Sequence, residues 1–258
     1  MRQIALLGAM LLSACSIRSG TPPAEEIVSP CEPVMFEDSP LTHCTADPTR
    51  HTIEMAVGDT RGKPFRSFRT LAAAQTDDAA PVVMAMNGGM FDTDGLPIGY
   101  YVEDGERTKP VNQAEGPGNF HLLPNGIFYG QAGGPWQVRE TEAFVDTVKD
   151  RPEFATQSGP MLVVGGRMHP DFDDDGASKK VRNGIGVDLQ GRAHFVISEA
   201  PVSFGKLARF YRDVLKVENA LFLDGSVSQL WDPARGRMDQ IVPLGPLIVV
   251  RRREDASQ

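Results

Sequence analysis

The sequence has no excess of basic residues, few cysteines and no long apolar run. Its 258 residues include 26 Lys and Arg against 34 Asp and Glu, which gives a formal net charge of -8. Because binding to nucleic-acid phosphates requires a basic face, this balance argues against a nucleic-acid-binding protein. Every apolar run is shorter than the roughly 18–20 residues that a membrane-spanning helix needs. Hydrophobic residues nevertheless make up 41% of the chain, which excludes disorder over most of its length.

The first 14 residues have the composition of an export signal. Arg2 supplies a short positive region, residues 4–12 are apolar, and Leu12-Ser13-Ala14-Cys15 follows. This order resembles the bacterial lipobox, so we expect cleavage before Cys15 and a lipid anchor on its thiol. The alternative, an ordinary signal peptide cleaved near the same place, also implies export. Ser16 rather than Asp follows the cysteine, which favours a periplasm-facing anchor in the outer membrane.

The remaining two cysteines, Cys31 and Cys44, form an even pair in an oxidising compartment. A bridge between them would close a loop of about 14 residues and contribute on the order of 3 kcal/mol. Two buried or free thiols are the alternative. Residues 16–30 are polar and rich in proline, so residues 15–49 are interpreted as a lipid anchor and tether with a possible disulfide.

The rest of the chain predicts a single domain over residues 50–252, followed by a polar tail at 253–258. The 26 glycines and 20 prolines indicate many turns, and therefore strands rather than a helix bundle. We predict an α+β fold: a mixed, mainly antiparallel sheet with a few packed helices. The predicted strands are 51–57, 81–86, 220–223 and 247–250; the predicted hairpins are 100–109, 120–129, 161–168 and 184–198; and the predicted helices are 65–75 and 204–215, the second capped by Ser203.

Two predicted core strands end in a small polar residue followed by glycine. They are Met86-Asn87-Gly88-Gly89 and Leu223-Asp224-Gly225-Ser226. A buried strand fixes the residue at its tip, and the glycine lets the backbone approach a ligand closely. Ordinary turns are the alternative, since Asn-Gly and Asp-Gly are common turn dipeptides.

Two further segments are candidates on weaker grounds. Arg182, followed by Asn183 at a strand entrance, has the residue type that binds an anionic oxygen bidentately. A surface arginine is the alternative. Ser158-Gly159 form a polar turn before an apolar strand. The alternative is that they are simply the start of that strand.

Metal chemistry is not specified by the sequence. Asp171 to Gly176 resembles the start of a calcium loop, but its twelfth position is Arg182 instead of glutamate, so a solvated acidic turn is the better interpretation. The five histidines have no paired spacing, and the chain contains no GxSxG, Walker or dinucleotide-binding motif. The sequence requires no cofactor and leaves a divalent cation possible.

Five short motifs follow one another along the chain. They are Met86-Asn87-Gly88-Gly89-Met90-Phe91, Gly116-Pro117-Gly118-Asn119-Phe120, Gln157-Ser158-Gly159-Pro160-Met161-Leu162, Arg182-Asn183-Gly184-Ile185-Gly186-Val187 and Leu221-Phe222-Leu223-Asp224-Gly225-Ser226-Val227-Ser228-Gln229. In this order they resemble the bacterial branch of the phosphodiester glycosidase superfamily, over about residues 50–252. That resemblance implies an α+β fold and hydrolysis of a sugar phosphodiester.

The resemblance implies a site by position. Asn183 stands where the family has threonine, and the stretch after Asp224 has fewer glycines than the family pattern; both departures leave the substrate open. The resemblance implies that Asp224, Arg182 and Asn87 belong to the catalytic cleft. From their chemistry we expect Asp224 to act as a base for water, Arg182 to neutralise the departing phosphate, and Asn87 to hold a sugar hydroxyl or a phosphate oxygen. The implied substrate-binding residues are Gly88, Gly89, Ser158, Gly159, Asn183, Gly225 and Ser226.

These observations predict a lipid-anchored envelope hydrolase that cleaves a sugar-1-phosphodiester. A non-catalytic glycan-binding lipoprotein on the same fold is the main alternative, and a structural lipoprotein with a protein partner is another. We expect Arg182 and Asp224 to open onto one cleft with Asn87 at its rim. A cationic Arg182 close by would then keep the Asp224 carboxylate ionised.

Overall fold

The computed structural model describes residues 27–253. The predicted signal peptide, the anchor at Cys15, the first part of the tether and residues 254–258 lie outside this range. None of the helices in the described range is both long enough and apolar enough to cross a membrane.

Residues 27–253 form short strands and three short α-helices. The first strands are β1 (Cys31–Phe36), β2 (Ser39–Ala46), β3 (His51–Ala56), β4 (Val82–Asn87), β5 (Tyr101–Glu103), β6 (Glu106–Lys109), β7 (Gly126–Gly130), β8 (Trp136–Glu140) and β9 (Phe154–Ser158). The later strands are β10 (Met161–Val164), β11 (Arg167–Met168), β12 (Asn183–Val187), β13 (Ala193–Ser198), β14 (Asn219–Phe222), β15 (Leu230–Asp232), β16 (Arg237–Met238) and β17 (Leu247–Arg252). The α-helices are α1 (Phe68–Ala73), α2 (Thr141–Thr147) and α3 (Phe204–Arg209).

The strands form three sheets, and every pairing between these strands is antiparallel. A seven-stranded sheet has the order β1-β2-β13-β12-β14-β10-β11. One five-stranded sheet has the order β16-β15-β4-β17-β3, and the other has the order β6-β5-β9-β7-β8. This arrangement confirms the predicted α+β fold with mainly antiparallel sheets and few helices.

One apolar cluster joins the three sheets. It includes Met84 of β4, Phe128 of β7 and Phe195 of β13, all fully buried. The Phe128 ring centroid lies 6.2 Å from that of Phe195, in an edge-to-face arrangement between two sheets. Burial of each such side chain contributes about 1.5–3 kcal/mol, so the shared core holds the sheets together as one domain.

The folded domain begins before residue 50. Strands β1 and β2 form a hairpin, and β2 pairs along its length with β13 of the seven-stranded sheet. Cys31 lies directly opposite Cys44 in this hairpin, and the two form the predicted disulfide. Buried and partly exposed residues alternate over the first half of β2, as expected for a strand with one face on a core.

The predicted hairpin at residues 120–129 is wrong. Asn119–His121 forms a 3-10 turn, and β7 begins at Gly126 and pairs with β8 and β9. Asn125 is a buried residue whose Nδ2 donates to Phe120 O at 2.9 Å, so it does not occupy an exposed turn. The predicted hairpins over 100–109, 161–168 and 184–198 are confirmed.

The two predicted helices are present but shorter. Helix α1 covers six residues, and α3 ends at Arg209 and continues as a π-helical turn over Phe210–Val214. Ser203 caps α3 as predicted, because its side chain accepts a hydrogen bond from Lys206 N at 3.0 Å.

Candidate active site

Asn87, the last residue of β4, is the centre of a buried polar network. It is 1% exposed. Its Nδ2 donates to the backbone oxygen of Asp224 at 2.9 Å. Its Oδ1 accepts hydrogen bonds from Asn183 Nδ2 and from Gln229 N, both at 3.0 Å. Asn87 therefore ties the end of β4 to the segments that carry Asp224 and Asn183.

Asn183 extends this network from the start of β12. Its Oδ1 accepts a hydrogen bond from Ser228 Oγ at 3.1 Å, and its backbone oxygen accepts one from Leu223 N at 3.2 Å. Because β12 and β14 are antiparallel neighbours, the start of one lies beside the end of the other. We call the five linked residues, Asn87, Asn183, Asp224, Ser228 and Gln229, the Asn–Asp network.

Asp224 is the acidic member of the network and is partly buried. Its Oδ1 accepts hydrogen bonds from Ser226 Oγ at 2.5 Å and from Ser226 N at 3.2 Å. Within the described residues, its Oδ2 makes no hydrogen bond. Burial raises the pKa of the Asp224 carboxyl, and the two hydrogen bonds from Ser226 oppose that rise. The carboxyl thus has one fixed oxygen and one left for a ligand or water.

Gly88 and Gly89 lie where the loop after β4 passes close to the backbone of neighbouring segments, which explains why both positions are glycine. Gly88 O accepts a hydrogen bond from Asp224 N at 3.2 Å. Gly89 N donates to Thr156 Oγ1 at 3.1 Å, and a Cβ at Gly89 would lie 2.2 Å from Gln157 O. A side chain at position 89 would collide with β9, so glycine is required for the loop after β4 to pass there.

Ser158 is the last residue of β9, one position after the Gln157 that Gly89 approaches, and Gly159 follows it. Ser158 is fully buried, and its Oγ has no hydrogen-bond partner in the described part of the chain. Since strand side chains alternate, Ser158 is on the face of β9 that also carries Thr156, the residue in contact with Gly89. A Cβ at Gly159 would lie 2.8 Å from Phe120 O, which explains the glycine there. An unpaired buried hydroxyl is uncommon, and Ser158 lies beneath the surface, so the predicted contact of this side chain with a substrate stays a prediction.

Arg182 does not have the predicted environment. It is 2% exposed, so it is not a surface arginine either. Its Nε donates to Val202 O at 3.0 Å and its Nη2 donates to Ser178 O at 2.9 Å. The guanidinium carbon lies 3.5 Å from the centroid of the Phe204 ring. Burial lowers the pKa of Arg182 to about 10.

The predicted electrostatic pairing of Arg182 with Asp224 is therefore wrong. Among the described residues, no carboxylate lies within ion-pairing distance of Arg182. The Phe222 ring lies 5.5 Å from the guanidinium and also packs against Gly225, where a Cβ would lie 2.4 Å from Phe222 Cζ. Without a neighbouring cation to offset burial, the pKa of Asp224 rises instead of falling. Arg182 instead fixes the backbone that leads into Asn183.

The acidic turn at Asp171 to Gly176 lies apart from the network. The side chains of Asp171, Asp173, Asp174 and Asp175 are exposed. The backbone oxygen of Asp173 packs against Gly205 of α3, where a Cβ would be 2.2 Å away. Across residues 27–253, no group of three or more His, Cys, Asp or Glu side chains is arranged to hold a metal ion. The solvated-turn interpretation agrees with this environment.

The sequence did not single out Ser228 and Gln229. Gln229 is 1% exposed, and its backbone nitrogen donates to Asn87. Both residues stand in the motif that begins at Leu221, but nothing in their spacing separates a buried network residue from a turn residue. Their pairing with Asn87 and Asn183 depends on contacts more than 40 positions apart in the chain.

Comparison with known proteins identifies the family. A family model described as phosphodiester glycosidase matches residues 80–237, which is more than half of the chain and contains the whole Asn–Asp network. The chain therefore belongs to the phosphodiester glycosidase family, as the ordered motifs predicted. This membership supports a hydrolase-like function.

Individual relatives agree with this result. The chain is 34% identical over 209 residues to the "Uncharacterized protein YigE" of Escherichia coli K12, covering 81% of each. It matches the zebrafish N-acetylglucosamine-1-phosphodiester alpha-N-acetylglucosaminidase catalytic domain, auto-inhibited by its pro-peptide, with a TM-score of 0.58 and 14% identity over 86% of this chain and 82% of that one. A hypothetical protein from Synechocystis matches with a TM-score of 0.55 and 15% identity over 86% of this chain and 61% of that one. At these identities the two structures show a shared fold.

Proposed function

We propose that this protein is an exported glycosidase that hydrolyses a sugar-1-phosphodiester at the bond between the anomeric carbon and the phosphate oxygen. The observation that carries the proposal is the Asn–Asp network. It places the carboxyl of Asp224, with one oxygen free of hydrogen bonds, at the meeting point of three strands in a phosphodiester glycosidase domain.

The leaving group of this reaction needs little assistance from a general acid. Water adds its oxygen to the anomeric carbon, the C1–O bond breaks, and its electron pair stays on the phosphate oxygen. One proton of the water is released. The products are a sugar with a free anomeric hydroxyl and a phosphate monoester. Such a reaction passes through an oxocarbenium-like state, and the phosphate already leaves as a stabilised anion.

Asp224 is the base in this proposal. Its Oδ2 accepts the proton of the attacking water, while Ser226 fixes Oδ1 and hence the plane of the carboxylate. Burial raises the pKa of Asp224, which brings the carboxylate closer to the range in which a general base is effective. Ser226 is exposed, so its hydroxyl is also within reach of a substrate.

Asn87 and Asn183 act as positioning residues. Both ends of the Asn87 amide are occupied by protein partners, and so are both ends of the Asn183 amide. Both side chains are almost fully buried, so their main contacts are with the protein itself. They hold the Asp224 segment in place, and Arg182 secures the backbone next to Asn183.

The cellular location belongs to the same proposal. Leu12-Ser13-Ala14-Cys15 supports export with a lipid on Cys15, and the disulfide between Cys31 and Cys44 fits an oxidising compartment. We place the domain in the cell envelope facing the periplasm, with the outer membrane favoured by Ser16. Its substrate would then be an envelope sugar phosphodiester.

The test is a turnover assay on the mature protein. Sugar-1-phosphodiesters and matched neutral glycosides are incubated with the protein, with and without a chelator, and free reducing sugar is measured. We expect turnover of the phosphodiesters and a loss of 10²-fold or more in Asp224→Asn, as for a positioned acid–base group. Asp171→Asn, which changes an exposed acid away from the network, is the control and should retain activity. Binding of the diesters without any turnover would instead support the glycan-binding alternative.

A further inference from the structure

Arg66 carries a guanidinium group that has no acidic partner. Its Nη1 is buried and makes no hydrogen bond in the described part of the chain. Its Nε and Nη2 make no hydrogen bond or ion pair among residues 27–253 either, but these two nitrogens are not buried. A charged group that gives up water without gaining a partner is costly to the fold. Arg66 therefore has an open donor edge that an anionic ligand can satisfy.

The guanidinium of Arg66 is held against the loop that follows β4. Its central carbon lies 5.3 Å from the centroid of the Phe91 ring, which is the range of a cation–π contact. A Cβ at Gly95 would collide with Arg66 Nη1, so glycine is required there to leave room for the guanidinium. The Asp92 carboxylate in the same turn accepts hydrogen bonds from two backbone nitrogens instead of pairing with Arg66. The cation is thus fixed in place without being neutralised.

The backbone of Arg66 is strained and is tied to the segments around Asp224. Arg66 has a φ of 59°, a left-handed conformation that is unfavourable for a residue with a Cβ and that is concentrated at functional sites. Its backbone oxygen accepts a hydrogen bond from Leu244 N at 2.9 Å. Two residues later, Pro246 O accepts one from Gly88 N at 2.7 Å, and Gly88 O accepts the one from Asp224 N. Backbone hydrogen bonds thus connect the unpaired cation to the segment of the proposed base.

We propose that Arg66 binds a phosphate group through its Nε and Nη2. The identity of this ligand rests on the proposed function, whose reaction releases a phosphate, whereas Arg182 is already bound to backbone oxygens. Nε and Nη2 lie in one plane and match two oxygens of one phosphate. The residues matched by the family model, 80–237, do not include Arg66. The phosphate belongs to the bound diester or is free in solution, and binding measurements separate these two sources.

The test measures the binding of two phosphate ligands to matched variants. Inorganic phosphate and one sugar-1-phosphodiester are titrated calorimetrically, at constant ionic strength, into the mature protein carrying Asp224→Asn, which leaves the diester uncleaved. Adding Arg66→Gln should weaken binding about 10- to 100-fold, as for the loss of a charged hydrogen-bonding partner. Arg66→Lys keeps the charge without the planar fork and should give an intermediate affinity. Arg69→Gln is the control, because Arg69 is exposed and its guanidinium already donates to Gln240 Oε1.

The outcomes separate the phosphate site from the reaction. Weaker binding of the diester in Arg66→Gln assigns Arg66 to the substrate, and a loss confined to inorganic phosphate assigns it to the free anion. Unchanged binding of both ligands, an equal loss in Arg69→Gln, or no binding of either ligand before Arg66 is changed would overturn the site and leave the proposed function intact. If the wild-type protein turns over no diester, the proposed function fails, and the titrations with inorganic phosphate still decide the site. Melting temperatures show whether each variant is folded; if Arg66→Gln is not, Arg66→Lys decides by the same comparison.

Discussion

At the scale of single residues, the chemistry depends on how Asp224 is held. One carboxyl oxygen is fixed by Ser226 and the other has no hydrogen bond within the described chain. Burial raises the pKa of this carboxyl, and residues 27–253 place no cation beside it. Its ionisation, and with it the proposed base, therefore depends on the hydrogen bonds from Ser226.

Replacing Ser226 by alanine is expected to shift the pH dependence of turnover. The hydroxyl of Ser226 stabilises the ionised form of Asp224, so its loss raises the pKa of the carboxyl further. Because the base must be ionised, the acidic limb of the kcat/KM profile should move to higher pH. Ser226→Thr keeps a hydroxyl and should restore the wild-type limb. An acidic limb that stays in place or moves to lower pH in Ser226→Ala would rule out this role for the serine.

At the scale of secondary-structure elements, glycines decide how closely strands and loops approach each other. Gly89→Ala would place a Cβ 2.2 Å from the backbone oxygen of Gln157, so β9 or the loop after β4 has to move. We expect a loss of about 1–3 kcal/mol in the free energy of unfolding, measured by urea denaturation. Gly176→Ala is the control, because the nearest atoms there are 3.8 Å away. Equal stability of the two variants would contradict the close approach.

The β2–β13 pair contains a buried histidine pair that makes stability depend on pH. His43 Nε2 and His194 Nδ1 are 3.0 Å apart, and His194 Nε2 is 3.1 Å from Asp188 Oδ2. Burial, reinforced by the charge of His194, lowers the pKa of His43 to about 4. The unfolded chain then binds a proton that the folded chain rejects, so the stability present above pH 6.5 is lost as the pH falls towards 4.

His43→Gln should weaken this dependence. The amide has a similar hydrogen-bonding capacity and does not titrate, so the variant should lose less stability than the wild type between pH 6.5 and 4.5 in thermal unfolding. The raised pKa of Asp224 acts in the opposite direction on stability, and it is common to both proteins. Parallel curves of melting temperature against pH would show that His43 is not responsible.

The elements that the sequence predicts well are those with a local signal. Hairpins with Asp104-Gly105 or Gly165-Gly166 at the turn form as expected, since glycine accepts the positive φ that these turns need. Asn125-Gly126 has the same local signal, but Asn125 is buried by contacts with Phe120 and cannot form an exposed turn. No turn dipeptide of this kind marks the hairpin of β1 and β2, which lies in the part of the sequence interpreted as a tether. The place of this hairpin in the sheet depends on the pairing of β2 with the distant strand β13.

The candidate site divides in the same way. Asn87, Asn183 and Asp224 belong to three of the motifs, and each stands at or next to one end of a core strand. The fold brings these strand ends together, so the three residues meet. The environment of Arg182 was not predictable, since Val202, Ser178 and Phe204 surround it only after α3 has packed on the sheet. Burial of a guanidinium is a property of tertiary packing and leaves no trace in local spacing.

At the scale of the whole molecule, a folded domain follows a predicted export and anchoring segment. Cys15→Ser removes the thiol that would carry the lipid, so we expect the domain in the soluble periplasmic fraction or retained with its signal peptide. Cell fractionation with immunodetection and mass measurement distinguishes these results from wild-type protein. Wild-type protein found soluble and without acyl groups would contradict the anchor. It would not affect the description of the folded domain or of its disulfide.

The central claim is that the whole fold presents Asp224 for cleavage of a sugar C1–O bond in a phosphodiester. The most direct measurement is hydrolysis of a sugar-1-phosphodiester in ¹⁸O-labelled water, followed by mass analysis of the phosphate monoester. Our account predicts a phosphate product without ¹⁸O, because the water oxygen goes to the anomeric carbon. A phosphate product that carries ¹⁸O would mean attack at phosphorus, and would contradict the assignment of this protein as a phosphodiester glycosidase.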